Sequence, residues 1–251
     1  MRPNRTKRRL RAGEPAIGTF CVTASGLVAE SLGVEGFDFV TIDLQHGENN
    51  LGNLSPMLQA VSITQATPLV RVPANMPVYI QRALDLGAYG VIVPLVNTPE
   101  DAAAVVASVR YPPAGARSWG PVRGMLYGGT DYFAGAAEEL LTVVMLETAQ
   151  GVQNARAILD TPGIDACFIG PNDLAVSLGY PPQEPLPPAV EEAIAEIRSA
   201  AEAAHKIAGI HVFTPRDVER RLAEGFRFIA LSHDMRMLRA AAAEAARVVK
   251  H

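Results

Sequence analysis

Eight short, almost wholly apolar runs recur along this chain, and longer alanine-rich segments with helical periodicity separate them. The runs are residues 16–22, 38–43, 68–72, 90–95, 142–147, 165–170, 207–213 and 227–231. Strands without polar alternation are typical of parallel sheets, because helices cover one face and packed side chains cover the other. Eight such units in a chain of 251 residues predict an α/β fold, a single (β/α)8 TIM barrel.

No break in composition marks a second domain, so we expect one barrel over residues 1–251. The longest predicted irregular stretch is 111–136, between the fourth and fifth runs, and a loop of this length is usually functional. The alanine-rich segment 235–250 is predicted to be a helix that packs either on a neighbouring subunit or in the core.

The charge balance favours small-molecule partners. The formal net charge is -4 and the pI about 5.8, so the chain has no general electrostatic footprint for nucleic acid or an anionic membrane. The basic stretch 2–11 is predicted to be a solvated first helix. No apolar run approaches the ~20 residues of a membrane span, and a cytoplasmic location is expected. Cys21 and Cys167 lie in predicted strands and are expected to be reduced core residues.

Polar side chains follow several of the apolar runs, where the active site of a TIM barrel forms. They are Asp43 at the end of the second run, Gln45 and His46 after it, Arg71 in the third, Glu147 at the end of the fifth, and Asn172 and Asp173 after the sixth, in a turn that begins with Gly170 and Pro171. The sequence therefore predicts a polar site at the carboxyl-terminal mouth of the barrel.

Glu147 and Asp173 come from neighbouring predicted strands and supply two hard oxygen ligands. Such a pair, with water and substrate completing the shell, suits Mg²⁺, Mn²⁺ or Co²⁺. The alternative for Asp173 is that it caps the helix beginning near Leu174. Glu147 lies in an apolar strand, where an unpaired charge would be costly.

Arg71 interrupts an otherwise apolar strand and needs a counter-charge. The carboxylate of a keto acid would provide one bidentately, and an internal ion pair with Asp43 or Glu147 is the alternative. His46 shares a turn with Asp43, and its titration range suits a general base. His211 and His233 follow the last two runs, and their roles stay open at this point.

The turn 170–173 could hold an anion such as a carboxylate at a helix N-terminus, or be a plain turn. Lys7, Lys206 and Lys250 are the only lysines, and none follows a strand run. A Schiff-base aldolase would need a lysine at the mouth, so an aldolase of this kind would rely on a metal.

Taken together, these residues resemble the HpcH/HpaI class II aldolases over nearly the whole chain. The matching segments are RAGEPAIG at 11–18, GFD at 36–38, I-D-x-x-H at 42–46, VRVP at 70–73, VPLV at 93–96, RYPPAGAR at 110–117, ET at 147–148 and FIGPNDL at 168–174. The resemblance implies a barrel of the phosphoenolpyruvate/pyruvate-binding type. It also implies metal-dependent, reversible cleavage of 4-hydroxy-2-oxo acids to pyruvate and an aldehyde, and a homo-oligomer, a hexamer with sites near subunit contacts.

By the same resemblance, Glu147 and Asp173 are the metal ligands. Arg71 contacts the keto-acid carboxylate or keto oxygen, and His46 is the base with Asp85 as its partner. A divalent ion chelates pyruvate, a proton leaves its methyl group, and the resulting enolate attacks the aldehyde.

This chain departs from the family pattern at Gln45, where relatives commonly have glutamate. Phe20 and Phe213 are predicted apolar walls, and Arg117 and Arg123 of the long loop are candidates for the aldehyde side. Two other functions compete with the aldolase: a CoA-thioester lyase like the citrate lyase β-subunit, which would use the loop arginines, and a non-catalytic barrel that binds a keto acid.

Overall fold

A computed structural model of the chain describes residues 1–247 and shows a closed barrel of eight parallel strands in chain order. The strands are β1 Ala16–Cys21, β2 Phe39–Asp43, β3 Thr67–Arg71, β4 Gly90–Val93, β5 Leu141–Met145, β6 Ala166–Ile169, β7 Ile207–Val212 and β8 Phe228–His233. Each predicted run overlaps one of these strands, and no end differs by more than two residues. The predicted (β/α)8 barrel is confirmed.

Helices connect successive strands on the outside of the barrel, and one further helix lies at each end of the chain. They are α1 Arg5–Arg11, α2 Gly26–Val34, α3 Leu54–Ser62, α4 Pro77–Asp85, α5 Pro99–Val109, α6 Val122–Gly128, α7 Tyr132–Glu139, α8 Ala149–Gln153, α9 Ala155–Leu159, α10 Pro171–Ser177, α11 Pro188–Ala203, α12 Pro215–Ala223 and α13 Asp234–Arg247. No helix within residues 1–247 has the length and apolarity of a membrane span.

The amino-terminal end of the barrel is closed by α1. The predicted first helix is present and its arginines are exposed, but Thr6, Lys7 and Leu10 are buried, so only one face of it is solvated. Lys7 is buried, and its Nζ donates to the Asp165 carboxylate at 2.8 Å and to the Leu140 carbonyl at 2.6 Å. The Asn4 side chain donates to the carbonyl of Tyr89 at 2.8 Å. These bonds fix the helix across the entrances of β4 and β5. Above it, large side chains such as Phe39, Phe168 and Phe228 fill the interior.

The stretch 111–136 is not irregular throughout, as it contains α6 and begins α7. Its anchor is Arg117, which is buried, donates to the Asp85 carboxylate at 2.8 Å and stacks over Tyr111 at 4.7 Å. Arg123 donates to the carbonyl of Leu86 at 2.6 Å. The stretch joins the end of α5 to the start of β5, so it lies at the amino-terminal end of the barrel, opposite the mouth.

Helix α13 leaves the barrel after its first residues. Only Asp234 is buried along it, and Leu238 has 61% of its surface exposed. The prediction of a core helix is therefore wrong for the described part, and packing on a neighbouring subunit stays a prediction. Residues 248–250 of the predicted segment lie outside the described residues. Both cysteines are buried and free, as predicted.

Candidate active site

A cavity of about 310 Å³ opens at the carboxyl-terminal ends of the strands. Its lining comprises Phe20, Val22, Asp43, His46, Gly47, Arg71, Met145, Phe168, Gly170, Pro171, Asn172, Asp173, His211, Phe213 and His233. Most of the residues predicted for the mouth are therefore brought together on one cavity. Its size is that of a small-molecule site.

Arg71 and Asp43 form a two-point ion pair on this cavity. The pairing of β2 with β3 sets the two residues side by side, and the Arg71 Nε and Nη2 donate to the Asp43 carboxylate at 2.8 and 2.5 Å. The alternative of an internal ion pair with Asp43 is thus confirmed. Arg71 also lies 4.7 Å over the Phe20 ring and lines the cavity, so part of its guanidinium stays available to a ligand.

Asp43 also positions the turn that carries His46. Its carboxylate accepts hydrogen bonds from the backbone N–H of Gln45 at 3.0 Å and of His46 at 3.3 Å. Gly47 permits the close approach of this turn to β1, because a Cβ there would lie 2.4 Å from the Val22 carbonyl oxygen. His46 itself is exposed at the mouth, and Gln45 is half-buried beside it without lining the cavity.

Glu147 stands just behind the cavity wall with one carboxylate oxygen lacking a partner. Its Oε1 accepts the Leu95 N–H at 3.0 Å, whereas Oε2 has no hydrogen-bond partner among residues 1–247. Burial raises the pKa of Glu147 to about 7, and the Asp173 carboxylate adds to the rise. Leu95 holds a left-handed backbone with φ 54° at this point, an uncommon conformation for a leucine.

The other buried carboxylates are fully bonded. Asp43 is paired through both oxygens with Arg71. Glu139 accepts from Arg8 and the Asn4 backbone, and Asp234 accepts from the Val22 and Thr23 backbones. Glu147 is thus the exception among the four buried acidic residues in the described part of the chain. A buried oxygen without a donor calls for a partner that the protein does not supply.

Asp173 completes this acidic pair at Gly170. A Cβ on Gly170 would lie 2.6 Å from Glu147 Oε2 and 3.4 Å from Asp173 Oδ2, so both oxygens border the space that a side chain would occupy. Gly170 is the N-cap of α10 and no side chain caps this helix, which leaves the capping alternative for Asp173 unsupported. The pair fits a divalent cation that takes two protein carboxylates and draws its other ligands from water and substrate. Residues 1–247 contain no cluster of three or more candidate metal ligands.

Aromatic side chains form another part of the cavity wall. The His211 ring lies 5.6 Å from that of Phe20 and 4.7 Å from that of Phe213. Burial lowers the pKa of His211 to about 4, so this imidazole is neutral at pH 7. Its Nε2 lies 3.3 Å from the carbonyl oxygen of Ser232. The predicted apolar walls Phe20 and Phe213 line the cavity, and His211 joins them.

Three predicted site residues lie elsewhere in this chain. Asp85 ends α4 at the amino-terminal end of the barrel, where it is paired with Arg117. The predicted contact of Asp85 with His46 is therefore not made within one chain. Arg117 and Arg123 hold the segment around α6 at that same end, so neither reaches the aldehyde side of its own cavity.

The two histidines left open by sequence reasoning, His211 and His233, both line the cavity. The sequence around His211 contains a pattern that could have assigned this residue to the cavity. Gly209 and His211 in β7, and Phe213 directly after it, alternate with the outward-facing apolar residues, and alternation in a barrel strand assigns them to the interior.

Comparisons with known proteins agree with this architecture. The family model described as HpcH/HpaI aldolase/citrate lyase matches residues 16–241. A hydroxypyruvate/pyruvate aldolase of Rhizorhabdus wittichii is 41% identical over 231 residues, which covers 92% of each chain. A 5-keto-4-deoxy-D-glucarate aldolase of Klebsiella pneumoniae is 39% identical over 241 residues, 95% of this chain and 94% of its own.

Among solved structures, an HpcH/HpaI aldolase/citrate lyase family protein of Burkholderia cenocepacia superimposes with a TM-score of 0.93 at 35% identity. The match covers 99% of this chain and 100% of that one. The predicted resemblance and the predicted reaction class are confirmed.

Proposed function

This chain belongs to the HpcH/HpaI aldolase/citrate lyase family and is an aldolase, and we propose that its mouth cavity joins pyruvate, or a close 2-oxo acid, to an aldehyde. In the reverse direction the same site would cleave a 4-hydroxy-2-oxo acid between C3 and C4. The observation that carries the proposal is the unpartnered Glu147 oxygen beside Asp173, across the cavity from the Arg71–Asp43 pair.

Glu147 and Asp173 would hold a divalent metal ion, Mg²⁺, Mn²⁺ or Co²⁺. When bound, such an ion supplies Lewis-acid stabilisation of the negative charge that develops on the keto oxygen. The two lysines within residues 1–247 support this chemistry over a Schiff base. Lys7 closes the far end of the barrel, and the Lys206 Nζ donates to the Ile164 carbonyl at 2.8 Å, so neither reaches the cavity.

Arg71 would anchor the carboxylate of the 2-oxo acid. Its bonds to Asp43 use Nε and Nη2, and the N–H groups of Nη1 are free of these contacts. The internal ion pair and the substrate contact are therefore compatible. Asp43 fixes the plane of the guanidinium, and a fixed plane favours a two-point contact with carboxylate. The backbone turn 170–173 borders the same space.

His46 would remove the proton from C3 of the keto acid. It lies at the cavity mouth on a turn held by Asp43, where an incoming substrate can reach its imidazole. Within one chain Asp85 lies at the opposite end of the barrel, so a contact between Asp85 and His46 would have to join two copies.

The chain has surfaces that fit a homo-oligomer, and the family resemblance points to a hexamer. Val122, Leu126 and Phe133 on the segment near Asp85 are 78%, 85% and 57% exposed, and α13 extends away from its own barrel. Exposed apolar groups of this kind are typical of protein contact surfaces.

The direct test is release of pyruvate from a 4-hydroxy-2-oxo acid by protein stripped of metal and then given Mg²⁺, Mn²⁺ or Co²⁺. We expect metal-dependent pyruvate that is lost in Glu147→Gln and Asp173→Asn. The matched control is Glu202→Gln, which changes an acid that is 77% exposed on α11. Absence of pyruvate with every ion, or full activity in Glu147→Gln, would contradict the proposal.

The CoA-thioester alternative loses its main support in the structure. It relied on the arginines of the long segment, yet Arg117 is buried against Asp85 and Arg123 is bonded to a backbone carbonyl, both at the end opposite the mouth. A non-catalytic keto-acid barrel would bind pyruvate without turnover, and the same assay distinguishes it.

A further inference from the structure

The backbone at Leu95 is strained at the point where it contacts Glu147. Leu95 follows the end of β4 by two residues and has φ 54°, a left-handed conformation that a leucine rarely adopts. Its side chain is 53% exposed, so packing of that side chain does not account for the conformation. The conformation does direct the Leu95 N–H at Glu147, whose Oε1 accepts it at 3.0 Å. A strained backbone of this kind persists only where its surroundings hold it.

The Asn97 side chain bonds to both sides of this contact. Its Nδ2 donates to the carbonyl oxygen of Leu95 at 3.1 Å. Its Oδ1 accepts the hydroxyl of Thr148, the residue that directly follows Glu147. Because a carbonyl oxygen can only accept, the amide nitrogen must lie on the Leu95 side and the amide oxygen on the Thr148 side. One carboxamide therefore ties the segment that donates the Leu95–Glu147 bond to the segment that accepts it.

Asn97 and Thr148 are themselves fixed by further hydrogen bonds. The Asn97 N–H donates to the Asp101 carboxylate at 3.0 Å, and its carbonyl oxygen accepts the side-chain amide of Asn154 at 2.7 Å. The Thr148 hydroxyl also accepts the N–H of Gly151 at 2.9 Å. The half-buried Asn97 carboxamide therefore belongs to a connected network, and such a network can hold a strained backbone in place.

We propose that Asn97 is a positioning residue for the metal site. It holds Leu95 in the left-handed conformation, and the Leu95 N–H in turn fixes Oε1 of Glu147. The other oxygen, Oε2, is thereby left on the side of Asp173, since a Cβ on Gly170 would lie 2.6 Å from Oε2 and 3.4 Å from Asp173 Oδ2. The inference rests on the proposed function, in which these two carboxylates hold the metal. Groups that orient a metal ligand typically contribute about 10- to 100-fold to metal affinity.

The test is a double-mutant cycle on Mn²⁺ affinity, measured by calorimetry with metal-stripped protein. The four proteins are wild type, Asn97→Ala, Leu95→Gly and the double variant. Glycine adopts a positive φ about as readily as a negative one, so Leu95→Gly keeps the backbone N–H and removes the strain that Asn97 opposes. The titration gives the number of binding sites separately from Kd, so an unfolded fraction does not change the affinity that is measured.

We expect Asn97→Ala to weaken Mn²⁺ binding about tenfold when Leu95 is present, and by less than about threefold in the Leu95→Gly background. A role of Asn97 in packing alone would give the same loss in both backgrounds. The matched control is Asn53→Ala, which removes an amide that accepts the Asn50 N–H at 2.9 Å in a turn outside the cavity lining, and it should bind Mn²⁺ like wild type. Equal losses in the two backgrounds, or no loss in Asn97→Ala, would overturn the inference.

Hydrogen exchange at the Leu95 amide tests the positioning without any metal. In wild type this N–H is bonded to a buried carboxylate, and in Asn97→Ala it should exchange about tenfold faster. If wild type binds none of Mg²⁺, Mn²⁺ and Co²⁺, the proposed function fails. If wild type binds Mn²⁺ but exchange at Leu95 is unchanged in Asn97→Ala, only the assignment of Asn97 fails.

Discussion

Replacing Gly170 by alanine tests the acidic pair without removing either carboxylate. The new Cβ would lie 2.6 Å from Glu147 Oε2, whereas ordinary van der Waals contact begins near 3.4 Å, so the two must separate by about 0.8 Å. The carboxylate cannot swing freely, because Oε1 is held by the Leu95 N–H and the side chain is buried. The space between Glu147 and Asp173 would therefore be partly filled.

We expect metal-dependent activity to fall by about 100-fold, since a misplacement near 1 Å can have that effect on a catalytic constellation. Mn²⁺ affinity, followed by calorimetry, should weaken in parallel. The backbone at Gly170, with φ -97° and ψ 95°, is open to alanine, so any fall in the melting temperature should come from the displaced carboxylate and not from backbone strain.

The matched control is Gly26→Ala at the start of α2, where the nearest atoms to a new Cβ lie at 3.8 and 3.9 Å. This variant should keep both activity and Mn²⁺ affinity. If Gly170→Ala also kept both, the two carboxylates would not form the metal site, and the geometric argument would be refuted.

Three further predictions concern stability and assembly. Burial lowers the pKa of His211 from 6.5 to about 4, so as the pH falls the unfolded chain takes up a proton at this residue before the folded chain does. On the order of 3 kcal/mol of the free energy of unfolding should therefore be lost between pH 6.5 and 4. Denaturant titrations should show a smaller loss in His211→Asn, and equal losses in the two proteins would contradict this. Lys7→Met leaves Asp165 without its buried partner and should lower the free energy of unfolding by about 3 kcal/mol. The metal dependence of pyruvate release should be retained. An unchanged unfolding midpoint would refute this prediction. Leu238→Glu places a charge on the exposed face of α13 and should reduce the molar mass found by light scattering, and a wild-type monomer would show that this helix does not mediate assembly.

The strands and the mouth residues could be predicted because each depends on local pattern. Parallel strands buried on both faces appear as continuous apolar runs, and polar residues at their carboxyl ends must meet at one end of a barrel. Asp43, Arg71 and Asp173 were located by this reasoning alone. The pairing of Arg71 with Asp43 was foreseen as an alternative, because a guanidinium in an apolar strand needs a counter-charge.

The segment after α5 could not be predicted in the same way. Its helices α6 and α7 are short, and the segment is anchored by Arg117, whose partner Asp85 lies 32 residues earlier in the chain. No local sequence pattern predicts a contact between residues so far apart in the chain. The placement of the segment, in contrast, follows from topology: a connection from a helix to the next strand reaches the amino-terminal end of the barrel. By this rule, Arg117 and Arg123 belong to the end of the barrel opposite the mouth and are not candidates for the site in the same chain.

The protonation of Glu147 links the architecture to the chemistry. Burial raises the pKa of Glu147 to about 7, so a cation that binds there competes with a proton. The fold could have bonded this group fully, as it does for Asp43, Glu139 and Asp234. Leaving Oε2 without a donor lowers the stability of the metal-free protein, because the ionised form is buried and faces Asp173. Ligand binding to the native state restores that stability by mass action. If the proposed metal site is correct, the same unpaired oxygen lowers stability when no cation is bound and supplies a ligand when one is.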